Sequence, residues 1–147
     1  MSGQQMTKRR TNRGDARDWP FCKVVAIVRT MALESVEKRL QAVGVPGISV
    51  TKVKGYGEYA DFFRADLMTE HARIEIFMRR ARVKEVVRAV VAEARTGEAG
   101  DGLVVVIPVE SIHRIRTGRR AGVDDLGGRE SRSPDESNGR HTEGNHG

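Results

Sequence analysis

A chain of 147 residues with 38% hydrophobic and 31% charged side chains fits one domain. Its formal charge of +6 suits phosphate-bearing or acidic ligands and equally permits nucleic acid, so charge alone does not choose. No apolar run approaches the roughly 18 residues of a membrane span and none follows the basic start, which argues against membrane insertion and secretion and for the cytoplasm.

Residues 1–19 hold almost no aliphatic side chains and carry Lys8, Arg9, Arg10, Arg13 and Arg17, so this segment is expected to stay disordered. Residues 22–29 read as a buried strand, with Cys22 at its start as an inert thiol; a single cysteine excludes an intramolecular disulfide. Leu33, Val36, Leu40 and Val43 recur at helical spacing until Gly44 and Pro46 stop the helix. Ile48–Tyr56 is β-branched and alternating, residues 57–69 are mixed, and Ala72–Met78 is again strand-like. Val83, Val86, Val87, Val90 and Ala94 mark a second amphipathic helix, and Leu103–Ile107 reads as the last core strand. The tail 119–147 mixes Gly, Ser, Asn and both charges without apolar periodicity, and is also expected to be disordered. The order βαββαβ within residues 20–118 predicts an α+β, ferredoxin-like sandwich: an antiparallel sheet with both helices on one face. The other face of so small a domain needs a cover.

Two motifs carry chemistry. Arg95-Thr96-Gly97-Glu98-Ala99-Gly100-Asp101-Gly102 joins the second helix to the last strand, and its glycines can leave successive amides uncovered, as a phosphate cradle requires. Ile112-His113-Arg114-Ile115-Arg116-Thr117-Gly118 sets Arg114 and Arg116 on one face of an extended chain. Singly, the first can be only a turn and the second a solvated face; in sequence order they suggest a phosphate clamp. His71, His113, His141 and His146 lack metal-ligand spacing, so no metal site is expected. Nothing pairs a nucleophile with a base, so no enzymatic activity is expected, including the hydrolysis of an acylphosphatase-like protein of this topology.

Together with Val53-Lys54-Gly55-Tyr56-Gly57 and Arg73-Ile74-Glu75-Ile76, these motifs resemble the P-II signal-transduction family over about residues 22–118. The resemblance implies a homotrimer with adenine nucleotide in the clefts between neighbours and a long signalling loop that changes shape on ligand binding. Carried over by position, Ser49 faces the purine, Gly55 and Gly57 open the signalling loop, and Glu75 and Phe77 lie at the adenine end. Gly97, Gly100, Asp101, Gly102 and Leu103 form the phosphate loop, and Arg114 and Arg116 reach in from a neighbour.

Three departures modify what the resemblance implies. Leu103 stands where the family pattern has a lysine, and a leucine cannot neutralise outer phosphates. Glu58-Tyr59 replaces a basic residue and the glutamine that helps arrange metal, triphosphate and keto acid. The loop after Gly57 is shorter than usual and lacks the tyrosine context for uridylylation. The expected function is therefore a noncatalytic regulator that takes AMP or ADP in preference to ATP as a regulatory ligand rather than a tightly held cofactor. Its signalling loop, with Gly57, Glu58 and Tyr59, would meet a transporter or enzyme target in inorganic-carbon or nitrogen metabolism. The altered loop is similar to carboxysome-associated members that sense bicarbonate, and such an anion could lodge near Gly55–Tyr59. The alternative, an RNA- or other nucleic-acid-binding module of the same fold, requires stacking aromatics on the central strands, where Arg73–Met78 offers only Phe77.

Overall fold

A computed structural model describes residues 14–55 and 69–126. Strand β1 (Phe21–Arg29) is followed by helix α1 (Leu33–Ala42), strands β2 (Ser49–Gly55) and β3 (Thr69–Arg79), helix α2 (Val83–Ala94) and strand β4 (Gly102–Val109). The four strands form one antiparallel sheet in the order β2-β3-β1-β4, the ferredoxin-like arrangement expected from the βαββαβ reading.

Alternation along the strands sorts the two faces. Cys22, Val24, Ala26 and Val28 of β1 and Ala72, Ile74, Ile76 and Met78 of β3 point to the helices, where they bury Val36 and Leu40 of α1 and Val86, Val90 and Ala94 of α2. Each large side chain so buried contributes on the order of 1.5–3 kcal/mol. Burial in this apolar layer pushes the Cys22 thiol pKa up, which leaves it protonated and unreactive.

Helix α1 stops where the sequence says it should. Gly44 takes φ +82°, its amide donates to Gln41 O and the Val45 amide to Leu40 O, each at 3.0 Å, which satisfies the last carbonyls of the helix. Arg82, just before α2, donates to Val43 O and to the Glu85 carboxylate at 3.0 Å, tying the end of one helix to the start of the other.

The opposite face of the sheet is partly bare. Val25 is buried there, but Phe77, Val105 and Ile107 are 48%, 41% and 42% exposed, interspersed with Lys23, Arg73 and Glu75.

Two expectations about the ends are corrected. Residues 14–19, assigned to a disordered segment, contain a short 3-10 helix at Ala16–Asp18, capped by the Asp15 side chain and held by Arg80 Nη1 donating to Ala16 O at 3.3 Å. Residues 119–126, assigned to a disordered tail, form β6 (Arg119–Arg120), which pairs with β5 (His113–Arg114), and a 3-10 helix at Val123–Leu126. Ala121, buried, donates its amide to Ile112 O at 2.7 Å. Local contacts of this kind order a segment that composition alone marks as solvated. Gly57, Glu58 and Tyr59 lie outside the described residues.

Candidate functional site

The glycine loop is built around Asp101. Its carboxylate accepts from the Thr96 amide at 2.9 Å, the Gly97 amide at 2.8 Å and the Thr96 hydroxyl, while Arg29 Nε approaches at 3.5 Å. The Thr96 hydroxyl, then the Gly97 and Thr96 amides and Arg29, hold the Asp101 pKa down to about 2. The Glu98 amide is taken by Thr96 Oγ1 at 3.2 Å, and the Asp101 amide reaches Glu98 O at 3.4 Å. The uncovered row of amides expected from three glycines is therefore largely occupied from within. The amides of Ala99 and Gly100 have no acceptor among the described residues.

Two side chains with no part in the expected loop, Arg29 and the histidine His71 set aside above as a metal ligand, fix it. Arg29 Nη2 donates to Ala99 O at 2.7 Å, and buried His71 lies with Nε2 3.1 Å from Gly100 O. A carbonyl only accepts, so this nitrogen carries the proton. Neither residue sits in a recognisable motif; they arrive because β1 and β3 run side by side, pairing Arg29 with His71. Gly55, buried, closes β2 at the same end of the sheet, opposite Thr69. Leu103 pairs with Ile27 on the bare face of the sheet and, with Gly102 and Asp101, borders an apolar cleft of about 340 Å³ against Val87, Val90 and Val91 of α2.

The residues expected at the adenine end gather elsewhere. Ser49 and Glu75 are register partners on β2 and β3, and with Phe77, Arg114, Asp125 and Leu126 they line a second cleft of about 410 Å³. Glu75 meets Lys23 Nζ and Arg73 Nη2, each at 2.7 Å; the Lys23 bond, then Arg73, hold its pKa below the ordinary value. Lys23 Nζ also stands 5.5 Å above the Phe77 ring.

The extended arginine pair is corrected. Only His113–Arg114 is strand; residues 115–118 turn, with Gly118 at φ +65° and its amide on Arg114 O at 2.9 Å. Arg114 points into the second cleft and donates to Asp125 O at 2.5 Å, whereas exposed Arg116 lies on the turn and does not line it. Gly118, in the left-handed region, closes the four-residue loop 115–118 of a hairpin between β5 and β6.

The two clefts stand at opposite edges of the sheet, β4 and β2, separated by three strand spacings of about 4.8 Å, or roughly 14 Å. One chain therefore holds the glycine loop at one edge of the sheet, and an arginine with an aromatic ring at the other. Among the described residues no helix is long and apolar enough to cross a membrane.

Comparison with known proteins places residues 21–119 within the family model described as Nitrogen regulatory protein P-II. The chain is 36% identical over 107 residues to the nitrogen regulatory protein P-II of Azospirillum brasilense, covering 68% of this chain and 96% of that one. It is 34% identical over 111 residues to the P-II homolog of Arabidopsis thaliana, covering 70% of this chain but only 57% of the plant protein. Among solved structures, that of Arabidopsis thaliana PII bound to citrate superposes with a TM-score of 0.61 at 35% identity, covering 71% of this chain and 88% of that one.

Proposed function

This chain belongs to the nitrogen regulatory P-II family of signal-transduction regulators, and from that premise we propose that it is a homotrimeric sensor of AMP and ADP. The observation that carries the proposal is the separation of the half-sites: the glycine loop at β4 and the Ser49–Glu75–Phe77–Arg114 cleft at β2 cannot meet within one chain. Two adjacent copies supply one of each. The bare sheet face with Phe77, Val105 and Ile107 gives such copies an apolar surface to share.

In the assembled cleft, Ser49 and Glu75 face the purine, Phe77 contributes backbone and ring, and Arg114 meets phosphate after releasing Asp125 O. The remaining amides of Ala99 and Gly100, with the Gly97–Gly102 turn that carries them, take the rest of the phosphate. Arg116, on an adjacent turn, supplies charge from outside. Leu103 gives the outer phosphates no cation, and a missing charge-assisted bond there weakens triphosphate binding by about 1.5–3 kcal/mol, roughly tenfold or more in affinity. The short segment after Gly55, with Gly57, Glu58 and Tyr59, meets the regulated transporter or enzyme in the cytoplasm. A carbon-side effector such as bicarbonate would bind beside the phosphates and shift nucleotide affinity reciprocally.

Calorimetry with AMP, ADP and ATP, with and without magnesium, bicarbonate and 2-oxoglutarate, tests the reading. AMP and ADP bind more tightly than ATP, and Leu103→Lys raises ATP affinity about tenfold. Tight ATP binding strengthened by magnesium and 2-oxoglutarate would overturn the preference; indifference to all three nucleotides would overturn the sensor.

A further inference from the structure

The hairpin after β4 holds an arginine beside Arg114 that is not Arg116. In an antiparallel ribbon, residues directly opposite one another share a face, with Cβ atoms about 4.5–5.5 Å apart. Arg114 of β5 is opposite Arg119 of β6, and His113 is opposite Arg120. Arg119 therefore stands on the face from which Arg114 enters the cleft of Ser49, Glu75 and Phe77, and Arg120 stands on the other face.

The Arg114–Arg119 pair has no counter-charge. Like charges directly opposite destabilise a ribbon, and an anion held between them removes that repulsion. Arg114 donates to a neutral group, Asp125 O, and among the described residues no hydrogen bond or ion pair reaches the exposed Arg119 side chain. The carboxylates that line the cleft are engaged elsewhere: Glu75 by Lys23 and Arg73, each at 2.7 Å, and Asp125 by the Gly122 amide at 2.6 Å. Arg120 differs, because its guanidinium donates to Glu110 O at 3.2 Å. Two guanidiniums on one face, open to solvent, match the oxygens of a phosphate chain.

We propose that Arg119 is the second phosphate-binding arginine of the hairpin, in the role the sequence gave to Arg116: with Arg114 it clamps the diphosphate of an adenine nucleotide held against the neighbouring copy's glycine loop. The proposal rests on the reading of the interface cleft as a nucleotide site and adds a residue to it. Arg116, carried round the turn, contributes less.

The full chain is titrated with ADP by calorimetry, with fold and assembly of every variant checked by circular dichroism and light scattering. Arg119→Gln weakens ADP binding about tenfold, the loss of one charge-assisted contact. Arg120→Gln removes the same charge from the opposite face of the ribbon and leaves the affinity nearly unchanged, and Arg116→Gln costs less than Arg119→Gln. Unaltered ADP affinity in Arg119→Gln overturns the proposal while leaving the nucleotide site standing. An equal loss in Arg120→Gln overturns it too, because the effect is then one of net charge and not of contact, as does a larger loss in Arg116→Gln. A wild-type chain indifferent to ADP removes the nucleotide site and Arg119's role together.

Discussion

At Gly102 a methyl group would stand 1.8 Å from the Ile27 carbonyl oxygen, on a backbone with φ +100°. Both the left-handed angle and the collision forbid a side chain where β4 leaves the glycine loop. Gly102→Ala is therefore expected to destabilise by about 3 kcal/mol or more, read as a fall in the denaturant midpoint. Gly97 shares the left-handed angle but has open space around it, so its requirement is conformational alone. Asp101 acts in the opposite sense, through attraction. Its folded pKa of about 2 lies below the ordinary aspartate value of 3.8, so the stability it contributes is fully present above the higher value and is lost as pH falls through the lower one. Asp101→Asn should accordingly lower the melting temperature at about pH 6, and the gap from the wild type should close as the pH approaches about 2. A gap that persists in acid would place the role of Asp101 in shape rather than charge.

The elements depend on a thin core. Ile74 and Ile76 of β3 are fully buried between the helices and the flanking strands, in contact with the same apolar layer as Leu40 and Val90. Ile76→Ala should cost about 2–5 kcal/mol in chemical denaturation, the upper part of the range applying if the sheet cannot collapse into the space. Helix and strand positions were readable because spacing alone encodes them: Leu33, Val36 and Leu40 repeat at helical period, and Gly44 ends the run in a left-handed turn. The hairpin at His113–Arg120 was not readable in the same way. Its strands are two residues each, too short for alternation to show, and the motif Arg114-Ile115-Arg116 suits a strand as well as a turn. The order in residues 14–18 and 119–126 comes from backbone contacts such as Ala121 to Ile112, which composition does not carry.

For the molecule as a whole, the prediction concerns the uncovered sheet face. Val105→Glu places a charge at the centre of that face, across from Val25, where a neighbouring copy would have to desolvate it. Light scattering should report a monomer, circular dichroism an intact fold, and calorimetry a loss of adenine nucleotide binding. Retained binding by a monomer would remove the interface site. By itself the sequence determined the βαββαβ order, the helix-facing core and the identity of the glycine loop, because periodicity and glycine chemistry are local and survive in one dimension. Only the tertiary structure decided that Asp101 fills much of its own loop, that Arg29 and His71 fasten it, and that Ser49, Glu75, Phe77 and Arg114 form a cleft at the other edge. Those contacts join residues far apart in the chain, and strand register, a property of paired strands and not of any one of them, sets which side chains meet.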